Sequence, residues 1–299
     1  MTVGLDGASA VAALSERMDC QARSRLVARE RGGIPFLEAE LPSTFRAVFT
    51  TRIGGDSPEP YRSLNLSPRS DDDPESVARN RSKLAGLVAS AGECSRGHEA
   101  AHARNERLVS PLQVHGTRVV GVTEYAGEVE DARQRGRGEP PCDGLTVSPV
   151  LDSGMAALLL FADCVPVILV GEVDMAVVHA GWRGLVGGIV QQGARAMTGP
   201  PGMAFVGPSI GPCCFTVGDE VAQEFSSRFG SDVVLGTAGA RSVDLWRAVE
   251  AAAEEIGVPR HQVVNPRLCT RCNSDLFYSY RADGPVTGRQ GCMVWAAQQ

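Results

Sequence analysis

Three apolar runs lie in close succession in the middle of this chain, and they limit its fold more than any other feature. The runs cover residues 155–161, 165–170 and 175–178, and each has the length of a β-strand. Three residues separate the first two runs, and a turn-like Gly-Glu-Val-Asp segment precedes the third. Because these links have hairpin length, the pattern predicts an up-down-up meander within one sheet.

Reactive side chains stand at the ends of these runs. Cys164 lies in the first link and His179 follows the third run, so the meander places both at one end of the sheet. His115 ends another strand-like segment, 108–114, just before Gly116. Two imidazoles and one thiol form the ligand set of a catalytic zinc with an open fourth position, whereas four protein ligands close a structural zinc site. The sequence therefore predicts a catalytic zinc at these three residues.

Two further interpretations apply to the cysteines and histidines. Cys164 can instead be a small buried apolar residue, with each histidine a hydrogen-bonded core residue. The chain has nine cysteines, an odd number that, with the chain's length, argues against a disulfide scaffold. We interpret the adjacent Cys213 and Cys214, and the Cys269-x-x-Cys272 pair, as structural, with a redox pair or half of a metal site as the weaker alternative for the C-x-x-C.

Length and composition agree with a single globular enzyme. Of the 299 residues, 43% are hydrophobic and 21% are charged, which suits one packed domain. The net charge of −6 argues against a nucleic-acid partner, although a local cationic pocket for one phosphate remains compatible with it. The longest apolar stretch, 155–170, is too short to span a bilayer and contains Asp163 and Pro166. The N-terminus has no signal-peptide core, so we expect a cytoplasmic protein without a membrane partner. The oligomeric state cannot be read from the sequence.

The expected organisation is one catalytic domain, 34–299, behind an N-terminal extension, 1–33, that carries an amphipathic helix. Two polar segments, 95–107 and 127–141, are typical of surface insertions. His98 and His102 lie in the first with helical i,i+4 spacing, but a solvated loop is the preferred interpretation. Short strands mixed with helices favour mixed sheets over a purely parallel one.

The chain resembles the YfiH family, also labelled laccase-domain or multicopper polyphenol oxidoreductase proteins, from about Phe45 to the C-terminus. Besides the three segments around His115, Cys164 and His179, the resemblance rests on the following motifs: Thr50–Gly55, Tyr61–Leu66, Asp73–Glu75 with Asn80 and Arg81, Cys142–Thr146, Gly207–Cys214, Cys269–Thr270 and Phe277–Arg281.

The resemblance implies an α/β (α+β) fold, a single-domain layered sandwich with mixed β-sheets, flanking helices and a site at a strand-end cleft. It implies zinc-dependent phosphorolysis of the purine nucleosides adenosine, inosine and methylthioadenosine, with hydrolytic deamination of adenosine. The oxidase label fits poorly, because a laccase needs about ten histidines for its copper centres. This chain has 5 histidines and no His-x-His pair.

The resemblance also implies roles for single residues. Arg52, between a Thr-Thr pair and two glycines, is expected to grip phosphate with its guanidinium fork. Asn65 is expected at the ribose or purine, and Arg183 as a further anion ligand. Asp143 and Asp163 are candidates for orienting a metal-bound imidazole.

The same residues are compatible with two functions of other classes. Cys164 can act as a thiolate nucleophile activated by His179 or His115, as in an amidase or a hydrolase that edits peptidoglycan precursors. A non-enzymatic protein that binds a nucleotide-like ligand and regulates a partner is the third hypothesis.

Overall fold

The structure is a computed structural model that describes residues 5–41, 44–88, 108–152 and 154–297. Two six-stranded sheets pack face to face over a core of apolar side chains from both. Helices cover the outer face of each sheet. This layered arrangement of mixed sheets and flanking helices confirms the expected α/β sandwich. Within the described residues, no helix has the length and apolar character needed to cross a bilayer.

The first sheet has the order β1-β2-β3-β15-β7-β4 and is antiparallel except where β4 pairs with β7. Numbered in chain order, its strands are β1 (Leu26–Arg31), β2 (Ile34–Ala39), β3 (Phe45–Thr50), β4 (Leu108–Val109), β7 (Ala156–Phe161) and β15 (Gln290–Ala296). Helix α2 (Pro74–Ala85) packs on its outer face through Leu84 and Ala85. Asp73 caps this helix by accepting from the amides of Glu75 and Ser76.

The second sheet has the order β14-β10-β8-β9-β6-β5, with parallel pairs at both edges. Its strands are β5 (Val119–Gly121), β6 (Gly144–Val147), β8 (Val165–Val170), β9 (Met175–Ala180), β10 (Met203–Val206) and β14 (Val263–Val264). A small antiparallel sheet lies beside it, formed by β11 (Thr216–Val217), β12 (Val234–Thr237) and β13 (Ala240–Val243).

Most of the remaining helices cover the second sheet or connect its strands. They are α3 (Val122–Gln134), α4 (Trp182–Val186), α5 (Ile189–Ala196), α6 (Asp219–Phe229), α7 (Leu245–Glu255) and α8 (Tyr280–Asp283). Short 3₁₀ turns occur at Ala22–Ser24, Ser231–Val233 and Arg260–Gln262. Apolar residues of α5, α6 and α7 pack on the face of β8 and β9 that points away from the sandwich interior. These strands are therefore buried on both faces, which explains their unbroken apolar sequence.

The three apolar runs form strands as predicted, but the three-stranded meander is wrong. β8 and β9 pair as an antiparallel hairpin in the second sheet, whereas β7 belongs to the first sheet and pairs with β15 and β4. The chain crosses from one sheet to the other at Ala162–Cys164, where Asp163 has a φ of 88°. The predicted proximity of Cys164 and His179 is nevertheless correct, because it depends only on the hairpin of β8 and β9. In this hairpin Pro166 lies opposite His179.

The segment before residue 34 is packed into the sandwich. Helix α1 (Gly7–Arg17) buries Ala10 and Leu14 in the core between the sheets, and β1 pairs along its whole length with β2. The expected boundary between extension and domain thus falls in the turn of a β-hairpin. Residues 5–33 share their hydrophobic core with the rest of the described chain.

Candidate active site

The three predicted zinc ligands converge at one end of the sandwich. The ligand atoms of His115, Cys164 and His179 all lie within 4.8 Å of one another. The Cys164 sulfur is 3.6 Å from Nε2 of His115, and the two imidazole rings are 4.8 Å apart in an edge-to-face arrangement. His179 is buried, Cys164 is half-buried and His115 is exposed. The cluster is thus open to a ligand from the His115 side.

Asp143, immediately before β6, positions both histidines. Its carboxylate accepts a hydrogen bond from Nδ1 of His179 at 2.8 Å. The same carboxylate accepts from the backbone amides of His115 at 2.9 Å and Gly116 at 2.8 Å. His115 has a φ of 62°, a left-handed conformation that non-glycine residues adopt at a cost. The buried carboxylate stabilises this strained turn, and it leaves Nε2 of His179 free to face Cys164.

Asp163 anchors the turn that precedes Cys164 and does not orient an imidazole. Its carboxylate accepts from Thr270 Oγ1 at 2.6 Å and from the amide of Arg281 at 2.7 Å. Among the described residues, neither His115 nor His179 bonds to this carboxylate. Asp143 thus makes the imidazole contact for which both aspartates are candidates in the sequence.

Two glycines allow the backbone to approach the cluster closely. A Cβ on Gly181 would lie 2.5 Å from Cδ2 of His115 and 3.3 Å from the sulfur of Cys164. A Cβ on Gly184 would lie 2.9 Å from the carbonyl oxygen of Gly116. Contacts as short as 2.5 Å do not occur in stable proteins, so the start of α4 can lie against the histidine loop only because these residues lack side chains.

The cluster has unusual electrostatics in the metal-free chain. Burial opposes ionisation of Cys164, but the neighbouring His179 and His115 outweigh it and lower the pKa of the thiol to about 6. Burial disfavours the charged imidazole of His179, yet the Cys164 thiolate and Asp143 raise its pKa to about 9. At neutral pH the two residues therefore form a thiolate–imidazolium pair.

A cleft of about 590 Å³ opens above the cluster, a volume typical of small-molecule sites. The rings of Phe215, Trp182 and Tyr280 line this cleft. Four arginines also line it: Arg69, Arg183, Arg281 and Arg289. Asp163 is the one carboxylate that lines it among the described residues, and two donors already engage that group. The cleft is consequently cationic although the whole chain carries a net charge of −6.

The arginines are held in place by their neighbours. Arg289 donates to the carbonyl oxygens of Thr287 and Gly288, each at 2.9 Å. Arg281 donates to the carbonyl oxygen of Thr216 at 2.9 Å. The guanidinium of Arg183 lies 4.3 Å from the centre of the Trp182 ring. Arg69 is paired with the carboxylate of Glu139. The carbonyl oxygens bonded to Arg281 and Arg289 leave the charge of these two side chains uncompensated, so they can attract an anion.

Arg52 and Asn65 do not line this cleft. The guanidinium of Arg52 lies 4.5 Å from the centre of the Tyr278 ring and donates to the carbonyl oxygens of Arg62 and Ser274. It lines a separate depression that shares no lining residue with the cleft above the cluster. Its side chain crosslinks loops, and this arrangement gives no support to the expected phosphate role.

Asn65 is buried inside its own loop. Its amide donates to Ser70 and Asp72, and its oxygen accepts from the backbone amides of Ser67 and Arg289. All these bonds are internal to the protein, so its contact with a ribose or purine, as expected from the motif, is not available in this conformation. Its bond to the amide of Arg289 nevertheless links it indirectly to the cleft.

The sequence predicts only one of the four cleft arginines, Arg183. Arg281 ends the Phe277–Arg281 motif without a predicted role, and Arg69 and Arg289 lie outside the motifs. Their only signal in the sequence is a small neighbour, since Arg289 follows Gly288 and Arg69 precedes Ser70. His98 and His102 lie outside the described residues.

Comparisons with known proteins identify the family of this chain. Residues 46–297 match the family described as multi-copper polyphenol oxidoreductase laccase. The purine nucleoside phosphorylase YlmD of Geobacillus stearothermophilus is 33% identical, over 81% of this chain and 87% of its own. The purine nucleoside phosphorylase YfiH of Escherichia coli is 30% identical, over 85% of this chain and 95% of its own.

Solved structures show the same architecture. The crystal structure of YlmD from Geobacillus stearothermophilus superposes with a TM-score of 0.73 at 30% identity, covering 90% of this chain and 98% of that one. The Bacillus licheniformis protein YfiH gives a TM-score of 0.73 at 27% identity, covering 88% and 96%. The chain therefore belongs to the YfiH family of laccase-domain proteins.

Proposed function

We propose that this chain is a zinc-dependent purine nucleoside phosphorylase whose reaction centre is the cluster of His115, Cys164 and His179. One observation carries the proposal: the cluster lies at the base of a cleft whose walls combine four arginines with aromatic rings. Phosphorolysis needs a site for an anion next to a site for a flat base, and this cleft offers both. Family members of similar length are named purine nucleoside phosphorylases.

The donor atoms fit a catalytic zinc. The Cys164 sulfur and the Nε2 atoms of the two histidines are the atoms that would hold the ion, since Nδ1 of His179 is committed to Asp143. When bound, zinc supplies a Lewis acid that polarises a substrate group. Asp143 keeps the ring of His179 in the tautomer that ligation requires. The strained backbone at His115, held by the same carboxylate, fixes the direction of the second imidazole.

The arginines of the cleft are the proposed phosphate site. Their positive charge attracts phosphate into the cleft, and guanidinium groups match the geometry of phosphate oxygens. Arg183, predicted as an anion ligand, and Arg281 and Arg289 line the same space as Cys164. In this proposal they replace Arg52, whose donors are used by backbone carbonyls.

The bond changes follow from this arrangement. A phosphate oxygen forms a bond to C1′ of the ribose while the bond between C1′ and the purine nitrogen breaks. The purine leaves with the electron pair and acquires a proton, and ribose 1-phosphate remains. The rings of Trp182 and Tyr280 offer apolar faces for the purine, and the nearby arginines hold the anionic nucleophile against the sugar.

Within this proposal the substrates are adenosine, inosine and methylthioadenosine, and the same cleft also deaminates adenosine hydrolytically. Product analysis of purified protein of known zinc content tests these assignments. With adenosine and phosphate we expect adenine and ribose 1-phosphate, while inosine formed without phosphate reports deamination. Intact adenosine, inosine and methylthioadenosine under all conditions would refute the proposal.

The geometry also favours a second candidate, hydrolysis by a nucleophilic thiol. His179 lies between the lowered-pKa thiol of Cys164 and the carboxylate of Asp143, which bonds to its Nδ1 at 2.8 Å. This order of groups matches a cysteine–histidine–aspartate triad. In the second proposal the Cys164 thiolate bonds to the carbonyl carbon of an amide in a peptidoglycan precursor, the C–N bond breaks, and the amine leaves with a proton from His179. Water then hydrolyses the thioester and releases the acid and the free thiol.

Metal removal separates the two candidates. A thiol nucleophile is free to react in the zinc-free chain, so amidase activity should persist or rise after chelation. Phosphorolysis should be lost on chelation and return when zinc is added back. Alkylation of Cys164 abolishes either activity, so it does not serve as the discriminating measurement.

A further inference from the structure

Four cysteine sulfurs meet at a second place in the molecule, separate from the His115–Cys164–His179 cluster. The Cys272 sulfur lies 3.6 Å from that of Cys213 and 3.5 Å from that of Cys214. With Cys269, the four sulfurs all lie within 4.8 Å of one another. We call this group the four-cysteine cluster. The residues come from two loops that are far apart in sequence.

We propose that the four-cysteine cluster is a structural zinc site. A tetrahedral zinc with bonds of about 2.3 Å places its sulfurs about 3.8 Å apart, close to the distances between these thiols. Four thiolates close the coordination sphere and leave no position for substrate, in contrast to the three-ligand cluster. The proposal needs no electron transfer: zinc binds and the thiols release their protons to solvent.

The surroundings of Cys269 resemble those of a metal-bound thiolate. Its sulfur accepts a hydrogen bond from the backbone amide of Gly211 at 3.3 Å, which joins one cysteine loop to the other. Backbone N–H donors that bond to a ligating sulfur hold its orientation. Cys269 is buried, while Cys213 and Cys272 are exposed, so an ion can enter from the solvent side.

Sulfur spacing decides which metal suits the cluster. A tetrahedral site of four thiolates fits zinc or iron chemistry. An iron–sulfur cluster contains several irons and bridging sulfides, so its cysteine ligands must stand around a larger body than one ion. Thiols as close as 3.5 Å leave room for one ion only. Among single ions, zinc requires no redox partner and is the usual occupant of a closed structural site.

The location of the four-cysteine cluster indicates a structural role beside the catalytic cleft. Phe215 follows Cys214 directly and lines the catalytic cleft. Thr270 follows Cys269 directly and bonds to Asp163, the neighbour of Cys164. A metal ion that joins the two loops would therefore brace one wall of the cleft and the turn that presents the catalytic thiol. Its removal should loosen both without removing any cleft residue.

Zinc stoichiometry provides the test. Protein purified under reducing conditions without chelator is analysed by mass spectrometry for metals. We expect about two zinc ions per chain, one for each cluster. Cys272→Ser and Cys213→Ser should each reduce the content to about one, and Cys164→Ala should independently do the same. Cys20→Ser, which changes an exposed cysteine outside both clusters, is the matched control and should retain two.

Cobalt substitution adds a spectroscopic measurement of the sulfur ligands. Co²⁺ bound by four thiolates should give sulfur-to-cobalt charge-transfer absorption about four times that of a site with one thiolate, since intensity follows the number of Co–S bonds. In Cys164→Ala protein this absorption should remain. The midpoint of thermal unfolding of the same variant should fall when the metal is removed. These results do not depend on the phosphorylase reaction, so the two proposals can fail separately.

Three results would overturn the zinc assignment. The first is a wild-type protein that holds one zinc ion per chain, which Cys164→Ala removes and neither Cys272→Ser nor Cys213→Ser removes. The second is a disulfide between Cys272 and Cys213 or Cys214, detected by peptide mapping of protein kept in reductant. The third is stoichiometric iron with visible absorption in place of the second zinc.

Discussion

At the scale of single residues, Asp143 organises the site. One buried carboxylate bonds to the ring of His179 and to the amides of the loop that carries His115. The sequence identified both histidines and the thiol from their chemistry, and the structure brings all three together. The sequence does not distinguish Asp143 from Asp163, because each aspartate lies within a family motif. Only the folded chain shows which of the two carboxylates contacts an imidazole.

Asp143→Asn should weaken zinc binding at the active site. Asparagine keeps the size of the side chain but loses the charge. Both oxygens of Asp143 accept hydrogen bonds, so the NH₂ group of asparagine must face N–H donors, either at His179 and His115 or at Val114 and Gly116. Loss of such a partner of a metal-bound histidine typically costs about 10–100-fold in metal affinity. Competition with a zinc chelator measures the change. Asp152→Asn, at a buried carboxylate that bonds to Thr123, is the control and should leave zinc affinity unchanged.

Zinc affinity at the active site should rise with pH between about 6 and about 9. The pKa of Cys164 is about 6 and that of His179 about 9, so over this range the thiol is already ionised while the imidazole holds a proton that zinc must displace. Displacing one proton changes affinity about tenfold per pH unit. Chelator competition in a Cys272→Ser background isolates this site. An affinity that does not vary from pH 6.5 to 8.5 would contradict the thiolate–imidazolium pair.

At the scale of elements, strand existence was predictable and sheet membership was not. All three apolar runs became strands, since runs of this length bounded by turns favour extended structure. Each is buried on both faces, so no alternation of polar and apolar residues marks which sheet it joins. The crossing depends on a positive φ at Asp163, which a short link does not reveal. Arg183 was predicted as an anion ligand, but Arg69, Arg281 and Arg289 were not, because they come from segments that meet the catalytic motifs only after folding.

Gly181→Ala should damage the active site while leaving the fold intact. The new methyl group would lie 2.5 Å from the ring of His115, so the imidazole must move away from Cys164. The φ of Gly181 is −65°, which alanine adopts without strain, so the backbone itself tolerates the change. We expect at least about a tenfold loss of zinc affinity, comparable to the loss of an orienting contact.

Gly127→Ala is the control for that substitution. Gly127 lies on the exposed side of α3, where an added Cβ meets no atom within 4 Å. Alanine should stabilise the helix slightly and leave zinc binding unchanged. Circular dichroism of both variants separates local displacement from unfolding. Normal zinc affinity in Gly181→Ala would show that the His115 loop can move to accommodate the methyl group while the three ligands keep their geometry.

At the scale of the whole molecule, the N-terminal segment belongs to the same core as the site. Composition and mixed charge had indicated an appended extension up to residue 33, because a short amphipathic helix gives no sign of what its apolar face contacts. In the structure Ala10, Leu14 and Met18 are buried against residues of both large sheets. The strand that follows forms the edge of the first sheet, so cooperative unfolding should include this segment.

Leu14→Ala tests that packing. Leu14 is 0% exposed, and removing a fully buried leucine side chain typically lowers the free energy of unfolding by about 2–5 kcal/mol. Urea denaturation followed by tryptophan fluorescence measures the change. None of the three tryptophans lies in residues 5–33, so the signal reports unfolding of the rest of the chain and shifts only if the helix shares its stability. Glu16→Ala, at an exposed position of the same helix, should change stability by less than about 0.5 kcal/mol. If Leu14→Ala behaves like Glu16→Ala, the helix is an independent extension after all, and the shared core assigned to it is wrong.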